Sequence, residues 1–268
     1  MGAVAKLLII AGSDSGGGAG IQADLKTASA LGVYASTAIT AITAQNTVGV
    51  QRVAVMEPDL VAAQIASVLD DIGADAVKIG MLGSVGLIRA VADALAGFRG
   101  PVVLDPVMVA KSGDTLLERD AVQALREHLL PLAHLLTPNL PEAAQLLGQP
   151  QAETSHEVAA QGRALCQMGA RAVLMKGGHG AGPVCRDLLV GPAEALQQFS
   201  APRQTTQNTH GTGCTLSSAI AAELALGRPL YEAVERAHAW LQRAIACADR
   251  LQVGRGYGPV HHFHEVWP

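Results

Sequence analysis

The stretch Thr209–Ile220, THGTGCTLSSAI, places a thiol where a glycine loop turns into a segment that reads as helix. Backbone N–H groups at a helix start point outward and favour negative charge. Cys214 is expected to feel that field, which would lower its pKa. Three chemistries fit the position. Cys214 could be a small buried residue at the helix start. It could be a hydrolase nucleophile, which needs a partnered histidine; His210 is the neighbour in sequence, on a turning loop. It could be a base that takes a proton from a substrate hydroxyl beside a bound anion.

Other groups could share a site with it. The loop GSDSGGGAG, residues 12–20, runs into a helical pattern. It is not a Walker A loop, because no glycine precedes Lys26, and Ile21 stands where a dinucleotide fingerprint needs its third glycine. Its glycines would let backbone amides approach a ligand, or would simply form a tight strand-to-helix turn. Asp105 in DPVM, with Asn139 and Glu142 in TPNLPE, supplies hard oxygens suited to Mg²⁺ beside phosphates. Glu142 also fits ordinary capping in the first turn of a helix. Lys176 ends an apolar run before GGH and could serve as a cation for phosphate or as a solvated strand end. Gln45, in AQNT, carries one donor group and one acceptor, which suits the edge of an aminopyrimidine or a plain turn.

These residues need elements to position them. Strands are expected at Leu7–Ala11, Thr37–Thr43, Ala76–Ile79, Val102–Leu104, Leu135–Thr137 and Ala172–Met175. Helices are expected at Ile21–Leu31, Pro58–Ile72, Thr215–Leu226 and Leu230–Leu251. Strands alternating with helices predict a doubly wound, mostly parallel sheet. In such folds ligands bind beyond the carboxyl ends of the strands, and GSDSGGGAG, AQNT, GML, DPVM, TPNLPE and KGGH all follow strands. The stretches 149–156 and 177–183 read as surface loops, and residues 1–268 as a single domain.

Aromatics make up only 3% of the 268 residues against 49% hydrophobic, so an aliphatic core is required. A net charge of -4 argues against nucleic acid or an anionic membrane as the main partner. Cys166, Cys185, Cys214 and Cys247 form no C-x-x-C pair, which favours a reducing, cytoplasmic setting. The N-terminal MGAVAKLLIIAGSDSGG reads as a first strand rather than a signal peptide, and no apolar run could span a bilayer. The tail GPVHHFHEV, with His261, His262 and His264, reads as a docked terminus rather than a metal clip.

Taken together, AGSDSGGGAGIQADLKT, AITAQNTVGV, KIGML, DPVMVAKSGD, TPNLPEA, VLMKGGH, NTHGTGCTLSSAI and GPVHHFH resemble, in order and over essentially the whole chain, the hydroxymethylpyrimidine/phosphomethylpyrimidine kinases of thiamine biosynthesis, in the ribokinase-like superfamily. The resemblance implies a three-layer α/β/α fold, ATP with Mg²⁺, a small pyrimidine substrate and a homodimer. It implies two successive phosphorylations, giving 4-amino-5-hydroxymethyl-2-methylpyrimidine phosphate and then the diphosphate. By resemblance Gln45 reads the pyrimidine edge, and Gly12, Asp24, Met81 and Val107 line its pocket. Lys176 lies near the transferred phosphate, with Asn139 and Thr212 on the nucleotide side. Asp105 and Glu142 serve the metal, and Gly211 to Cys214 form an anion hole. Most of the superfamily has an aspartate base at the end of that loop; this chain, like the pyrimidine kinases, has Cys214. Pyridoxal kinase is the alternative within the fold, and a non-catalytic ligand sensor is the rival of another class.

Overall fold

In a computed structural model of the chain, residues 3–108, 119–178, 182–191 and 195–267 are described. Among the described residues nine strands form one sheet: β1 Lys6–Asp14, β2 Tyr34–Asn46, β3 Gly49–Val55, β4 Ala76–Ile79, β5 Val102–Leu104, β6 Leu135–Leu136, β7 Val173–Met175, β8 Val184–Val190 and β9 Leu196–Pro202. Their order is β3-β2-β1-β4-β5-β6-β7-β8-β9. The central pairs are parallel, while β2 with β3, β7 with β8 and β8 with β9 run antiparallel.

Helices cover both faces: α1 Gly20–Ala30, α2 Pro58–Asp71, α3 Val85–Ala94, α4 Arg119–Ala124, α5 Leu140–Leu147, α6 Ser155–Gln167, α7 Thr212–Ala225 and α8 Leu230–Ala246. Alternate strand residues point to opposite faces, so the near-continuous apolar runs serve two cores. Leu7, Ile9, Val103 and Leu174 pack with Ile21, Ile220 and Trp240 of α1, α7 and α8. Leu8, Ile10, Ile79, Leu104 and Met175 pack on the other side with Ile65, Leu87, Val91 and Leu165 of α2, α3 and α6. The expected three-layer α/β/α fold is present.

The differences lie at element ends and in elements that were not expected, among them the helices α3, α4 and α6. β2 is longer than Thr37–Thr43, and α8 stops at Ala246, before Leu251. β3, β8 and β9 had no counterpart among the expected strands. β3 is exposed along most of its length, so it lacks the apolar signature of a central strand. Of the two expected loops, 149–156 gives way to α6 at Ser155, and 177–183 lies partly outside the described residues. No helix among the described residues is long and apolar enough to cross a membrane.

Two backbone irregularities lie near the carboxyl ends of β1 and β2. The pairing of β1 with β2 shifts between Ala11 and Ser13, at Gly12. That of β2 with β3 shifts between Ala44 and Gln45. Bulges of this kind recur beside functional sites because they re-aim a side chain.

Candidate functional site

Asp105 follows β5, Lys176 follows β7, and α7 begins at Thr212. Lys176 Nζ lies 2.8 Å from Asp105 Oδ1 and 3.9 Å from Glu142 Oε2. A side-chain carbon built on Gly213 would lie 3.5 Å from that same Nζ and 3.7 Å from Asp105 Oδ2. The first turn of α7 therefore sits directly over the cation and its carboxylate. Asp105 is buried and also accepts from Thr137 Oγ1 at 3.1 Å, while Ser217 Oγ of α7 lies 3.2 Å from its second oxygen. Burial alone would raise the Asp105 carboxyl, but Lys176 and Lys78 outweigh it and hold it below the usual range. Burial would lower the Lys176 ammonium, but Asp105 and Glu142 drive it well up instead.

Glu142 and Asn139 form a capping box. Asn139 N–H donates to Glu142 Oε2 at 2.8 Å, and Glu142 N–H donates to Asn139 Oδ1 at 2.8 Å. The capping reading of Glu142 is therefore correct, and it coexists with the approach to Lys176. Burial, despite Lys176 and with Asp105 adding to it, pushes the Glu142 carboxyl up to about 7. The side-chain oxygen of Asn139 is committed to the helix. Thr212 turns its hydroxyl back onto Thr209 O at 2.7 Å rather than outward.

The expectation for Cys214 is corrected. Burial, helped by Asp24 and Asp105, pushes its thiol up to about 11, against the opposing pull of Lys78 and the Gly20 N–H. The helix-start field does not prevail, because burial outweighs it and Asp24 and Asp105 add to the rise. Nor is His210 the thiol's partner. Its ring turns to Asp14, with Nε2 2.9 Å from Asp14 Oδ2, so the hydrolase pairing is not built.

Asp24 is also corrected. It has no exposed surface; Lys78 Nζ takes one oxygen at 2.8 Å, and Ser218 Oγ donates to the other at 2.6 Å. It supports the site from beneath rather than lining it. Lys78, inside the four-residue strand β4, was not singled out by sequence. Its signal was a lone charge in the apolar run AVKI, legible only once that strand is known to be central.

The first glycine loop closes on itself. Asp14 accepts from the N–H groups of Gly16 at 2.8 Å, Gly18 at 3.1 Å and Ala19 at 2.9 Å. Lys26 Nζ donates to Gly17 O at 2.8 Å. Those three amides are thus spent on Asp14 instead of a ligand. The glycines serve close approach: a Cβ on Gly18 would lie 2.5 Å from the His210 ring, and one on Gly211, at φ 76°, would run into Gly18 O. The two glycine loops need both residues bare to pack together.

Gln45 stands at the bulge of β2, half-buried, with its Nε2 3.4 Å from His210 Nε2 and its Oε1 3.1 Å from Thr43 Oγ1. Gly12 and Met81 meet: a Cβ on Gly12 would lie 3.3 Å from Met81 Sδ. Val107 is half-buried two residues beyond Asp105, and its N–H donates to Asp105 O at 2.8 Å. The histidine tail docks against α7 and α8. His262 Nε2 lies 3.0 Å from Thr215 Oγ1, next to Cys214, and His261 N–H donates to Ala244 O at 3.0 Å. Among the described residues no cluster of three or more His, Cys, Asp or Glu could hold a metal, and all four cysteines are free.

A family model described as phosphomethylpyrimidine kinase matches residues 14–261. The hydroxymethylpyrimidine/phosphomethylpyrimidine kinase of Salmonella typhimurium is 57% identical over 97% of this chain and 98% of its own length. A phosphomethylpyrimidine kinase structure from Clostridium difficile superposes with a TM-score of 0.80 at 43% identity, covering 90% of this chain and 99% of that one. An ADP complex of a Bacillus subtilis pyridoxal kinase superposes with a TM-score of 0.91 at 37% identity, covering 99% and 100%. The chain belongs to the phosphomethylpyrimidine kinase family.

Proposed function

We propose that the protein transfers the γ-phosphoryl of ATP to 4-amino-5-hydroxymethyl-2-methylpyrimidine, and then a second phosphoryl to the product, giving the diphosphate. The observation that carries this reading is the convergence of Lys176, Asp105, Glu142 and the first turn of α7 on one spot. Phosphoryl transfer through a loose transition state asks mainly for positioning and charge neutralisation, and this group offers both. The donor set also fits Mg²⁺, a hard cation bound through one or two carboxylates together with phosphate oxygens. Asp105 and Glu142 would hold it, and when bound it would neutralise charge on the phosphates.

The chain's own residues supply the rest. Lys176 lies against the transferring group, and the N–H groups of Gly211 to Gly213 face the charge that develops there. Gln45 meets the ring edge, with Met81, Gly12 and Val107 around it. The new P–O bond forms as the bond to ADP breaks, and Cys214 takes the proton of the substrate hydroxyl only from its thiolate form, after its own proton has passed to solvent. A thiol held near 11 is almost wholly protonated at neutral pH, so this route should gain rate as pH rises towards 11. General-base help from the thiolate is worth about 10²–10⁴-fold. The chain acts in the cytosol without nucleic acid. Homodimer formation is supported by the exposed apolar residues Tyr34, Ile42, Val53 and Val55 on β2 and β3.

The test is ADP release with ATP, Mg²⁺ and the hydroxymethylpyrimidine, with products resolved by mass. Both mono- and diphosphate are expected. Binding without ADP release would favour a sensor. Turnover of pyridoxal in preference to the pyrimidine would move the protein to the second reading, which the pyridoxal kinase likeness favours.

A further inference from the structure

The contacts around Gln45 contain a conflict of hydrogen count, and its resolution has consequences for specificity. Asp14 is ionised and only accepts: burial would raise its carboxyl, but His210 and the loop N–H groups hold it low. At 2.9 Å from this carboxylate, His210 Nε2 must carry a hydrogen. An amide nitrogen 3.4 Å away on the same ring nitrogen would set donor against donor. The other end of the amide has a matching fault. The buried Thr43 hydroxyl has one hydrogen but faces two acceptors, Ser13 O at 2.9 Å and Gln45 Oε1 at 3.1 Å.

Reversing the amide removes the donor–donor clash and resolves the Thr43 conflict, because the two orientations have the same heavy-atom shape. The Gln45 oxygen then shares the single His210 Nε2–H with Asp14 Oδ2, which is the nearer acceptor at 2.9 Å against 3.4 Å. The Gln45 nitrogen donates to Thr43 Oγ1, whose hydrogen goes to Ser13 O. No donor then faces a donor anywhere from Asp14 to Ser13.

We propose that the Asp14–His210 pair locks the Gln45 amide in this reversed orientation, which makes His210 a positioning residue that sets which heteroaromatic ring the pocket accepts. The proposal rests on the reading that Gln45 meets the substrate ring. A locked amide offers its second N–H and its second lone pair in one fixed order. That order matches a ring with an amine beside a ring nitrogen, an aminopyrimidine. A free amide turns about its last torsion and serves either order, so discrimination falls. Sites built to hydrogen-bond a ring edge reject analogues by leaving buried polar groups unpaired. Two features hold the lock in place. Gly18 leaves room for the His210 ring, and His210 pairs with Pro259 of the docked tail.

The experiment compares wild type with His210→Leu and His210→Gln, whose amide N–H can replace Nε2–H. In His210→Leu the KM for the hydroxymethylpyrimidine is expected to rise about tenfold, the value of one lost buried hydrogen bond. kcat and the KM for ATP should stay within about threefold. The ratio of kcat/KM for the pyrimidine over pyridoxal should fall about tenfold, and His210→Gln should recover much of it. A parallel fall for both substrates, or a Gln variant no better than Leu, overturns the proposal. Nitrogen NMR of the ligand-free wild type provides a readout that needs no substrate: the His210 ring should be protonated at Nε2, and a ring bearing its only hydrogen on Nδ1 refutes the lock. Gln45→Ala separates the two claims. If that variant binds the pyrimidine normally, the substrate reading of Gln45 fails and the specificity claim falls with it, whatever the ring shows.

Discussion

Lys78 Nζ lies 2.8 Å from Asp24 Oδ2, and neither side chain has any exposed surface. One member sits in the central strand β4 and the other in α1, beneath the first turn of α7. Ser218, one turn beyond Cys214, takes the second Asp24 oxygen. Removing one partner of such a pair leaves an uncompensated charge, which costs about 3–5 kcal/mol, whereas neutralising both is far milder. Lys78→Met is therefore expected to lower unfolding free energy in that range, and Lys78→Met with Asp24→Asn to recover most of it. Urea denaturation of the ligand-free protein measures both. Additive losses in the double variant would mean that the two residues do not stabilise each other.

The raised thiol makes a kinetic prediction. With its pKa near 11, Cys214 should be almost entirely protonated at neutral pH and should react with iodoacetamide far more slowly than a free thiol. Its rate should climb until pH passes about 11. Peptide mass spectrometry follows this one cysteine among four. Rapid labelling at pH 7 would show that the α7 N-terminus prevails over burial after all.

Two glycines at nearly the same φ should respond differently to alanine. Gly227, at φ 81°, has open space around its missing Cβ, so Gly227→Ala meets only backbone strain, about 1 kcal/mol. Gly211, at φ 76°, adds a collision with Gly18 O that neither loop can relieve without moving. Gly211→Ala should cost well beyond that 1 kcal/mol and abolish turnover. Equal melting temperatures for the two variants would contradict the close packing of the glycine loops.

Acid stability should carry the mark of His262. Burial, with Lys26, His261 and His264 adding to it, lowers this imidazole from 6.5 to about 3. Above pH 6.5 both folded and unfolded chains hold it neutral, and its environment costs nothing. As pH falls from 6.5 towards 3, the unfolded chain takes up a proton that the folded chain refuses, so stability drops. The full slope for one proton is about 1.4 kcal/mol per pH unit. His262→Gln loses some stability at pH 7.5 through its Thr215 contact but should show a flatter acid limb. Denaturation free energies between pH 7.5 and 4 decide it; an unchanged slope would mean that His262 titrates normally.

Most of the frame was legible in the chain. The apolar runs of Leu7–Ala11 and Ala76–Ile79 could only be buried strands, and Pro58 and Gly32 marked helix limits, because backbone propensity and hydrophobic period are local properties. The polar groups after the strands, including Gln45, Asp105 and Lys176, were placed at one edge of the sheet by topology alone. Partnership was not legible. Asp24 and Lys78 are 54 residues apart in sequence, and Asp14 and His210 are 196 apart. Nothing local says that a charge in AVKI will meet a carboxylate on α1, or that the first loop's amides will be spent on Asp14. Nor does a helix start reveal whether its field or its burial governs a thiol. Charge energies depend on which groups share a low-dielectric interior, and only the packing of α1 and α7 on β1, β4 and β5 decides that.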